Sequence, residues 1–299
     1  MTECDFAIVG AGIIGAAVAY KLSQRQPGAR IMLFDKEADC AAHQTGRNSG
    51  VIHAGVYYAP GSYKARFCRA GLEHTFELCR EFRLPHEQCG KLIVATSEDE
   101  FPALEDLYHR CVENELHPQR LTAAEIQRRE PAINAVGGFF VAQTGITDYK
   151  AITSCLLQQA SARGQCQIHY QHKLESIEDC NNGVLLRFSH PRGGAAVKAV
   201  KLINCAGIYS DELIRMQGLE CDFRMLPFKG EYYRLNRKYD DITRHLIYPV
   251  PDPAMPFLGV HLTRMIGGYT TVGPNAVLTT GREAYNSLLS TDAEWLHLF

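Results

Sequence analysis

Three glycines within six positions near the N-terminus constrain the fold of this chain more than any other feature. Gly10, Gly12 and Gly15 form the pattern G-x-G-x-x-G inside the stretch DFAIVGAGIIGAAVAYKL. The apolar run before Gly10 is typical of a strand buried on both faces, and the residues after Gly15 favour a helix that ends near Pro27 and Gly28. The first glycine permits a tight turn, the second lets a phosphate approach the backbone, and the third lets the helix pack on the strand. We therefore predict a βαβ unit that holds a dinucleotide at the N-terminus of its helix.

An acidic residue stands at the distance that such a unit requires. The second apolar stretch, RIMLFD, ends at Asp35, twenty residues after Gly15. A carboxylate in this position can accept hydrogen bonds from the hydroxyls of an adenosine ribose. The glycine pattern alone also occurs in ordinary turns between a strand and a helix, and this remains the alternative. The two strands, the helix and the acid together favour a dinucleotide site.

Composition limits the classes of function. The 299 residues are 46% hydrophobic and 21% charged, with a net charge of −2, which is typical of a globular protein with a substantial core. Because no long run of Lys or Arg is present, we do not expect nucleic acid as a partner. Eleven cysteines without a C-x-x-C pair predict reduced thiols, no zinc site and a cytoplasmic protein. The first apolar stretch is too short to span a bilayer, and peripheral contact with the inner membrane stays open.

Longer strings in the sequence indicate a family. GAGIIGAA, DKE and HQTGRNSGVIHAGVYY, together with FKGEYYRL, HLIYPVPDPAMPFLGVHLTRM and VGPNAVL, resemble the FAD-dependent oxidoreductases of the D-amino-acid-oxidase and glycerol-3-phosphate-dehydrogenase superfamily. More narrowly, they resemble the L-2-hydroxyglutarate oxidases/dehydrogenases. The resemblance covers about residues 5 to 285. It implies an α/β fold in which a Rossmann-like FAD-binding domain is interleaved with an α+β substrate domain that carries a mixed sheet. Because the family's C-terminal part normally closes over the flavin, we expect this chain to be C-terminally truncated.

The order of patterns along the chain predicts how the two domains alternate. We expect the FAD-binding domain to comprise residues 1–88 and 145–220 with an incomplete 266–299, and the substrate domain to comprise 89–144 and 221–265. Helices are predicted over 99–116, 122–129 and 148–164, and strands near 90–97, 166–171, 184–188, 228–235 and 257–264. Residues 201–218 are predicted to form a strand, a turn of small residues and a helix. Thr122 with Glu125 three residues later predicts a capping box at the start of the second helix.

The resemblance also implies a reaction. It is the FAD-dependent oxidation of L-2-hydroxyglutarate, a small 2-hydroxy dicarboxylate, to 2-oxoglutarate. A base takes the hydroxyl proton, the Cα hydride passes to flavin N5, and the electrons go on to oxygen or a quinone. One alternative keeps the fold and changes the substrate to an amino acid, an amine or a glycerol phosphate. The other is a truncated, inactive remnant.

Small and polar residues are predicted to contact FAD. The segment HQTGRNSG, which starts at His43, is irregular and polar, and this suits a loop that passes along a ligand. By the resemblance, the turn at Ala206 and Gly207 approaches the adenine half of the cofactor, with an ordinary βα turn as the alternative. The predicted cofactor-binding residues are Gly10, Gly12, Gly15, Asp35, Lys36, Thr45, Asn48, Ser49, Gly50, Ala206 and Gly207. No metal ligands are predicted.

Two histidines and an arginine are the predicted catalytic residues. His53 follows the polar loop and His261 lies on a predicted strand of the substrate domain; an imidazole titrates near neutral pH and is a common base. A structural role is the alternative for each histidine. Arg264 lies three residues after His261, so the two share a site only if the strand ends or bulges between them. Three tyrosines are further candidate donors, with core packing as their alternative role: Tyr57, Tyr58 and Tyr233.

Overall fold

The computed structural model of the protein describes residues 2–251 and 259–285. The helices are α1 (Ile13–Arg25), α2 (Tyr63–Glu81), α3 (Phe101–Glu113), α4 (Ala123–Arg129), α5 (Tyr149–Ala162) and α6 (Ser210–Met216). The first nine strands are β1 (Thr2–Val9), β2 (Ile31–Phe34), β3 (Val51–Ile52), β4 (His86–Glu87), β5 (Lys91–Ala95), β6 (Gln119–Thr122), β7 (Gly137–Val141), β8 (Gly145–Thr147) and β9 (Cys166–His169). The remaining strands are β10 (Lys173–Cys180), β11 (Gly183–Ser189), β12 (Ala195–Asn204), β13 (Phe228–Lys229), β14 (Tyr233–Arg234), β15 (Leu246–Pro249), β16 (His261–Met265), β17 (Tyr269–Gly273) and β18 (Val277–Leu278). None of the helices in the described ranges has the length and apolar character that crossing a membrane would require.

The chain forms two compact units, each built from separate segments of the sequence. Among the described residues, the first unit holds 2–48, 149–227 and 278–285, and the second holds 49–148, 228–251 and 259–277. These boundaries differ from the predicted ones: residues 49–88, 145–148 and 266–277 belong to the second unit, and 221–227 belong to the first. The segments that contain β3, α2 and β8 lie in the second unit because their apolar side chains pack in one hydrophobic core with those of β5 and β7.

The first unit is organised around a six-stranded sheet with the strand order β10-β11-β12-β1-β2-β9. Strands β12, β1, β2 and β9 run parallel, and β10 and β11 extend the sheet in antiparallel fashion. Strand β2 is buried along its whole length, as expected for a parallel strand covered on both faces. Since the carboxyl ends of parallel strands share one edge, the residues that follow β1, β2 and β12 lie close together.

The second unit contains a seven-stranded mixed sheet with the strand order β14-β17-β16-β15-β5-β7-β6. Strands β15 and β5 pair in parallel, β16 pairs with β15 in antiparallel fashion, and β17 continues the sheet beyond β16. All five side chains of β5 are buried. Its Ile93 packs in a hydrophobic core that includes Phe139, Leu246 and Tyr248. The mixed sheet agrees with the predicted α+β character of this half of the fold.

Several predicted elements are present in the structure, and two differ. The capping box of α4 is formed, with the Thr122 hydroxyl accepting from the backbone N–H of Glu125. The predicted strand 228–235 is instead split into β13 and β14, because the backbone between them bonds elsewhere: Glu231 N donates to Asn275 Oδ1 at 2.9 Å. The predicted strand 257–264 begins only at His261, and residues 252–258 lie outside the described residues. Helix α2 was not predicted, although its buried positions Ala65, Leu72, Phe76 and Cys79 follow a helical spacing that indicates it.

A buried ion pair joins α6 to the last described segment of the first unit. The fully buried carboxylate of Asp211 receives Arg282 Nη1 at 2.6 Å and Nη2 at 3.0 Å, and the Met225 N–H at 3.2 Å. Burial by itself would raise the pKa of Asp211, but Arg282 and the Met225 N–H outweigh it and hold that pKa at about 2. The protonated carboxyl would lose these bonds, so the pair stabilises the fold only while Asp211 is ionised.

We expect Asp211→Asn to lower the free energy of unfolding by about 2–3 kcal/mol at pH 7, from the pKa difference between the folded and unfolded states. Because the folded-state pKa is lowered, the contribution is complete above the unfolded pKa near 4 and is lost as pH falls toward 2. Urea unfolding of both proteins at several pH values measures the difference. Asp222→Asn, on the exposed stretch after α6, is the matched control and should change little. A deficit of the Asp211 variant that persisted unchanged at pH 2 would contradict this interpretation.

Candidate functional site

The glycine pattern forms a side-chain-free corner at the carboxyl end of β1. Gly10 has φ of +111°, and a Cβ on it would lie 2.2 Å from the carbonyl oxygen of Cys205. A Cβ on Gly15 would lie 1.9 Å from the carbonyl oxygen of Gly10. Only glycine fits at these two positions, since a side chain would collide with backbone. We call this corner, with Asp35, Thr45 and Ala206, the nucleotide cradle.

The N-terminus of helix α1 lies at the cradle. Its N-cap is Gly12, which has no side chain to bond the helix end. The hydroxyl of Thr45 does this instead, accepting from the Ile13 N–H at 3.0 Å. A Cβ on Gly12 would lie 3.2 Å from the same hydroxyl oxygen. Thr45, predicted as a cofactor contact, therefore lies at the N-terminal end of α1, where backbone N–H groups and the helix dipole favour an anion.

Asp35 lies just after β2 and holds the glycine corner in place. Its Oδ2 accepts from the Ala11 N–H at 2.6 Å, and its Oδ1 accepts from the Glu37 N–H at 2.9 Å. Each carboxylate oxygen has a second lone pair, so Asp35 retains the capacity to accept from a ribose hydroxyl. The sequence predicted only a ribose contact. The structure adds a second role, fixing the loop between Gly10 and Gly12.

The two roles of Asp35 predict a measurable loss on truncation. Because a hydrogen bond to a charged group contributes about 1.5–3 kcal/mol, Asp35→Ala should weaken FAD binding by about 10- to 100-fold. Titration of apoprotein with FAD, followed by flavin fluorescence, gives the dissociation constant. Asp39→Ala removes an exposed carboxylate that bonds the Cys40 N–H and pairs with Lys150, and it should bind FAD as the wild type does. Equal affinity for wild type and Asp35→Ala would remove Asp35 from the site.

The turn after β12 completes the cradle. The Cys205 N–H donates to the Val9 carbonyl at 2.9 Å, which places this turn beside the end of β1. The Ala206 N–H donates to the Asn204 side chain at 3.1 Å, and Gly207 has φ of +58°. Ala206 and Gly207, predicted near the adenine half of the cofactor, thus lie beside the glycine corner. Their contact with the cofactor itself stays a prediction.

Lys36 takes part in an ionic network that the sequence did not predict. Its ammonium contacts Glu37 at 2.7 Å and also pairs with Glu283. His43 Nε2 donates to the same Glu37 carboxylate at 2.8 Å, and its other ring nitrogen contacts the Tyr285 hydroxyl at 2.9 Å. The donor atoms of Glu37, His43 and Glu283 lie within 4.8 Å of one another, a grouping that can hold a metal ion. Here the Lys36 ammonium already supplies a positive charge between the two carboxylates.

The remaining predicted loop residues are divided between the two units. In the first unit, the Asn48 side chain donates to the carbonyls of Gln44 and Thr45 at 3.2 and 2.6 Å and so shapes the loop. Ser49 and Gly50 belong to the second unit. Gly50 has φ of +67° and its carbonyl accepts from the Thr147 N–H at 2.8 Å. The role of these loop residues at the cofactor stays a prediction.

A group of basic and aromatic side chains forms the second candidate site, inside the second unit. The His261 ring stacks on Tyr248 with ring centres 3.9 Å apart. The Lys91 ammonium lies 3.8 Å from the centre of the same tyrosine ring. His53 interacts electrostatically with both Lys91 and His261. We call His53, Lys91, Tyr248 and His261 the basic cluster.

Burial changes the protonation of the basic cluster. Loss of solvation, helped by the charges of Lys91 and His261, lowers the pKa of His53 to about 3. Burial likewise lowers the pKa of His261 to about 4. Loss of solvation lowers the pKa of Lys91 to about 7. Both imidazoles are therefore neutral at physiological pH and able to accept a proton.

The hydrogen bonds of His261 fix which ring nitrogen is available. Its Nδ1 lies 3.0 Å from the carbonyl oxygen of Gly259, which can only accept, so Nδ1 carries the hydrogen. Its Nε2 is then a bare acceptor, and it is buried without a hydrogen-bond partner among the described residues. His53 as a residue is partly exposed, whereas His261 is only 5% exposed. The two predicted histidines therefore lie in one unit and in one cluster.

Arg264 lies outside that cluster. Strand β16 continues to Met265 and pairs with β17 in unbroken register from His261 to Met265. Arg264 therefore faces away from His261, and its Nε pairs with Glu87 at 3.3 Å. The strand neither ends nor bulges before Arg264, so we leave it out of the proposed catalytic set. Sequence reasoning instead missed Lys91, a lone lysine within the apolar run CGKLIVA, which was the available signal.

The fold and the cradle by themselves define a class of protein. At the carboxyl edge of its parallel sheet, the first unit has a glycine corner, the N-terminus of a helix and an acidic residue. This arrangement binds ADP-containing dinucleotides. The residues present fit that part of FAD, because the corner is too tight for a Cβ and so exposes backbone to a phosphate.

Comparison with known proteins agrees with this class. The sequence model of the FAD dependent oxidoreductase family matches residues 5–297, so the match continues beyond residue 285, where the sequence resemblance was expected to end. The chain is 48% identical over 281 residues to an L-2-hydroxyglutarate dehydrogenase of Escherichia coli, covering 94% of this chain and 66% of that protein. It is 37% identical to the mitochondrial L-2-hydroxyglutarate dehydrogenase of Homo sapiens, covering 94% and 62%. The chain thus spans about two thirds of the length of these curated relatives.

A solved structure gives the same answer for the fold. The L-alpha-glycerophosphate oxidase of Mycoplasma pneumoniae, with FAD bound, superposes with a TM-score of 0.85 at 27% identity, covering 99% of this chain and 77% of that one. This chain belongs to the FAD dependent oxidoreductase family. Family membership confirms the predicted fold class and FAD as the cofactor.

Proposed function

We propose that this protein oxidises L-2-hydroxyglutarate to 2-oxoglutarate with FAD as the hydride acceptor. The observation that carries the proposal is the 48% identity, over 94% of the chain, to a protein named L-2-hydroxyglutarate dehydrogenase. The basic cluster supports it on chemical grounds, because a dicarboxylate needs cationic or hydrogen-bonding groups as partners. Lys91 supplies such a group, and it interacts with His53 and His261 within one unit.

The nucleotide cradle is the proposed holder of the ADP part of FAD. The glycine corner and the N-terminus of α1 would bind the pyrophosphate, and the Asp35 carboxylate would accept hydrogen bonds from the ribose hydroxyls. Ala206 and Gly207 would line the adenine side. When bound, FAD supplies the hydride acceptor at its N5.

His53 is the proposed base that takes the proton from the substrate hydroxyl. Its lowered pKa keeps the imidazole neutral at physiological pH, which is the protonation state that a base requires. As a residue it is also more exposed than His261, whose free Nε2 lies inside the protein. His261, whose bare Nε2 can also accept a proton, is the proposed alternative to His53 as the base.

The electron acceptor is proposed to be oxygen or a quinone, in a cytoplasmic protein that contacts the inner membrane at most peripherally. A second candidate substrate is a glycerol phosphate, favoured by the 27% identity to a glycerophosphate oxidase. The two candidates differ in the anionic group, since one offers two carboxylates and the other a phosphate.

Anaerobic mixing of the FAD-loaded protein with each candidate tests the function. L-2-Hydroxyglutarate should bleach the oxidised flavin band rapidly, while L-glycerol 3-phosphate and glycine should leave it unchanged over the same time. Bleaching by glycerol phosphate alone would replace the proposed substrate. Full flavin loading with no bleaching by any of the three would show that the chain binds the cofactor without this activity.

A further inference from the structure

Lys91 is a buried lysine with no anionic partner among the described residues. It stands at the start of β5 in the second unit and is 1% exposed. Within the described ranges, no Asp or Glu forms an ion pair with its ammonium, and no hydrogen bond of that ammonium is observed. Buried lysines are rare unless they are paired, because an uncompensated charge is costly to remove from water.

The groups around Lys91 do not provide the missing negative charge. On the aromatic side its ammonium lies 3.8 Å from the Tyr248 ring centre and 5.5 Å from the Tyr57 ring centre. The other titratable groups that interact with it come from several segments of the second unit. They are Cys68 on α2, Cys111 on α3, His261 on β16, His53 just after β3 and Cys89 just before β5. Burial raises the pKa of the thiols of Cys68, Cys89 and Cys111, so they are neutral at pH 7. Among the described residues, the surroundings therefore contain π-faces and neutral donors but no counter-ion.

Two residues that lie near Lys91 carry unsatisfied polar atoms. His261 Nε2 and Tyr57 Oη are buried and have no hydrogen-bond partner in the part of the chain that the structure describes. Such atoms are uncommon in a native interior unless a ligand or water completes them. Tyr57 can donate its hydroxyl hydrogen to an anion, as a protonated lysine can.

We propose that Lys91 is a substrate-binding residue that pairs with one carboxylate of the 2-hydroxy dicarboxylate, with the hydroxyl of Tyr57 as a further donor. This inference rests on the proposed function and adds to it the residue that recognises the anionic group. The carboxylate supplies the charge that the interior lacks, so binding and protonation of Lys91 favour each other. Since the pKa of free Lys91 is lowered to about 7, anion binding above neutral pH must draw a proton from solution.

Calorimetric titration of the FAD-loaded protein with glutarate tests this without requiring turnover. Glutarate is a dicarboxylate that lacks the hydroxyl and cannot be oxidised as the substrate is. At pH 8 only about one tenth of Lys91 is protonated before binding, so we expect an uptake of roughly 0.9 proton per glutarate when the bound lysine is fully charged. The uptake is obtained by repeating the titration in buffers of different ionisation enthalpy. His53 and His261, with pKa values of about 3 and about 4, contribute little at this pH.

Lys91→Met removes the charge and keeps an unbranched side chain of similar length. We expect it to weaken glutarate binding at least tenfold and to abolish proton uptake, while its thermal midpoint stays equal to or above that of the wild type because a buried charge has been removed. Lys64→Met, which removes an exposed lysine of the same unit, should bind and take up protons as the wild type does.

The wild-type titration alone can overturn the inference, so it does not depend on the variant folding. Glutarate binding without proton uptake at pH 8, or no binding, would refute the role of Lys91, as would unchanged binding by Lys91→Met. Failure of the proposed function is a separate result, namely no flavin bleaching by L-2-hydroxyglutarate in a protein that binds glutarate with proton uptake.

Discussion

Gly10→Ala is expected to yield a protein that no longer retains FAD and unfolds more easily. A Cβ at this position would lie 2.2 Å from the Cys205 carbonyl oxygen, and the backbone φ of +111° disfavours any side chain. The loop must therefore move away from the turn after β12, which we expect to cost at least about 3 kcal/mol in the free energy of unfolding. Flavin absorbance of the purified protein and urea unfolding measure the two effects.

Alanine substitutions at two other glycines distinguish a loss of stability from a loss of FAD binding. A Cβ on Gly28 would have no described atom within 4 Å, so Gly28→Ala should keep both stability and yellow colour. A Cβ on Gly12 would meet only the Thr45 hydroxyl, at 3.2 Å, among the described residues. Gly12→Ala should therefore fold but bind FAD at least tenfold more weakly, because the methyl group would occupy the approach of the phosphates. If Gly10→Ala kept a full complement of FAD, the cradle would not be the nucleotide site.

His53→Asn is expected to slow flavin reduction by L-2-hydroxyglutarate by about 10²- to 10⁴-fold, the usual range for removing a general base. Flavin content should stay unchanged, since the residue lies outside the nucleotide cradle. The measurement is the rate of anaerobic bleaching in a stopped-flow instrument, at saturating substrate. The wild-type rate should show no ascending limb near pH 6.5, because the pKa of His53 is lowered from that value to about 3.

The histidines of the second unit offer a matched comparison for that experiment. His86 lies on β4, and its ring bonds the Leu84 carbonyl at 2.8 Å, so His86→Asn should leave the bleaching rate within a few-fold of wild type. His261→Gln should slow bleaching less than His53→Asn does. A His53→Asn protein that bleached at the wild-type rate would exclude His53 as the base and leave His261 as the remaining candidate.

The arrangement of the residues in the nucleotide cradle can be predicted from the sequence because its constraints are local. Gly10, Gly12, Gly15 and Asp35 stand in one βαβ unit, where short-range sterics and strand order bring them together. The second role of Asp35, bonding the Ala11 N–H, is a property of the folded turn and left no separate mark in the sequence. The ionic network around Lys36 joins residues 247 positions apart along the chain, and no pattern in the sequence indicates that contact.

The basic cluster is harder to predict, because it depends on how several strands and loops of the second unit come together. Strands β5 and β15 pair in parallel, which brings Lys91 beside Tyr248, although they are distant in sequence. The two-residue period of a strand correctly separates Arg264 from His261, but only the observed register with β17 excludes a bulge between them. In the same fold, His261 Nε2 is buried without a partner among the described residues. Burial and strand pairing are set by the tertiary structure, and they determine which candidate residues are able to bind or react with a substrate.

The most direct test of this account is a single anaerobic turnover of the FAD-loaded protein with L-2-hydroxyglutarate. We expect one equivalent of 2-oxoglutarate to appear for each equivalent of flavin bleached, and D-2-hydroxyglutarate to produce neither change. Bleaching without 2-oxoglutarate, or equal reaction of the two enantiomers, would contradict the proposed oxidation of L-2-hydroxyglutarate.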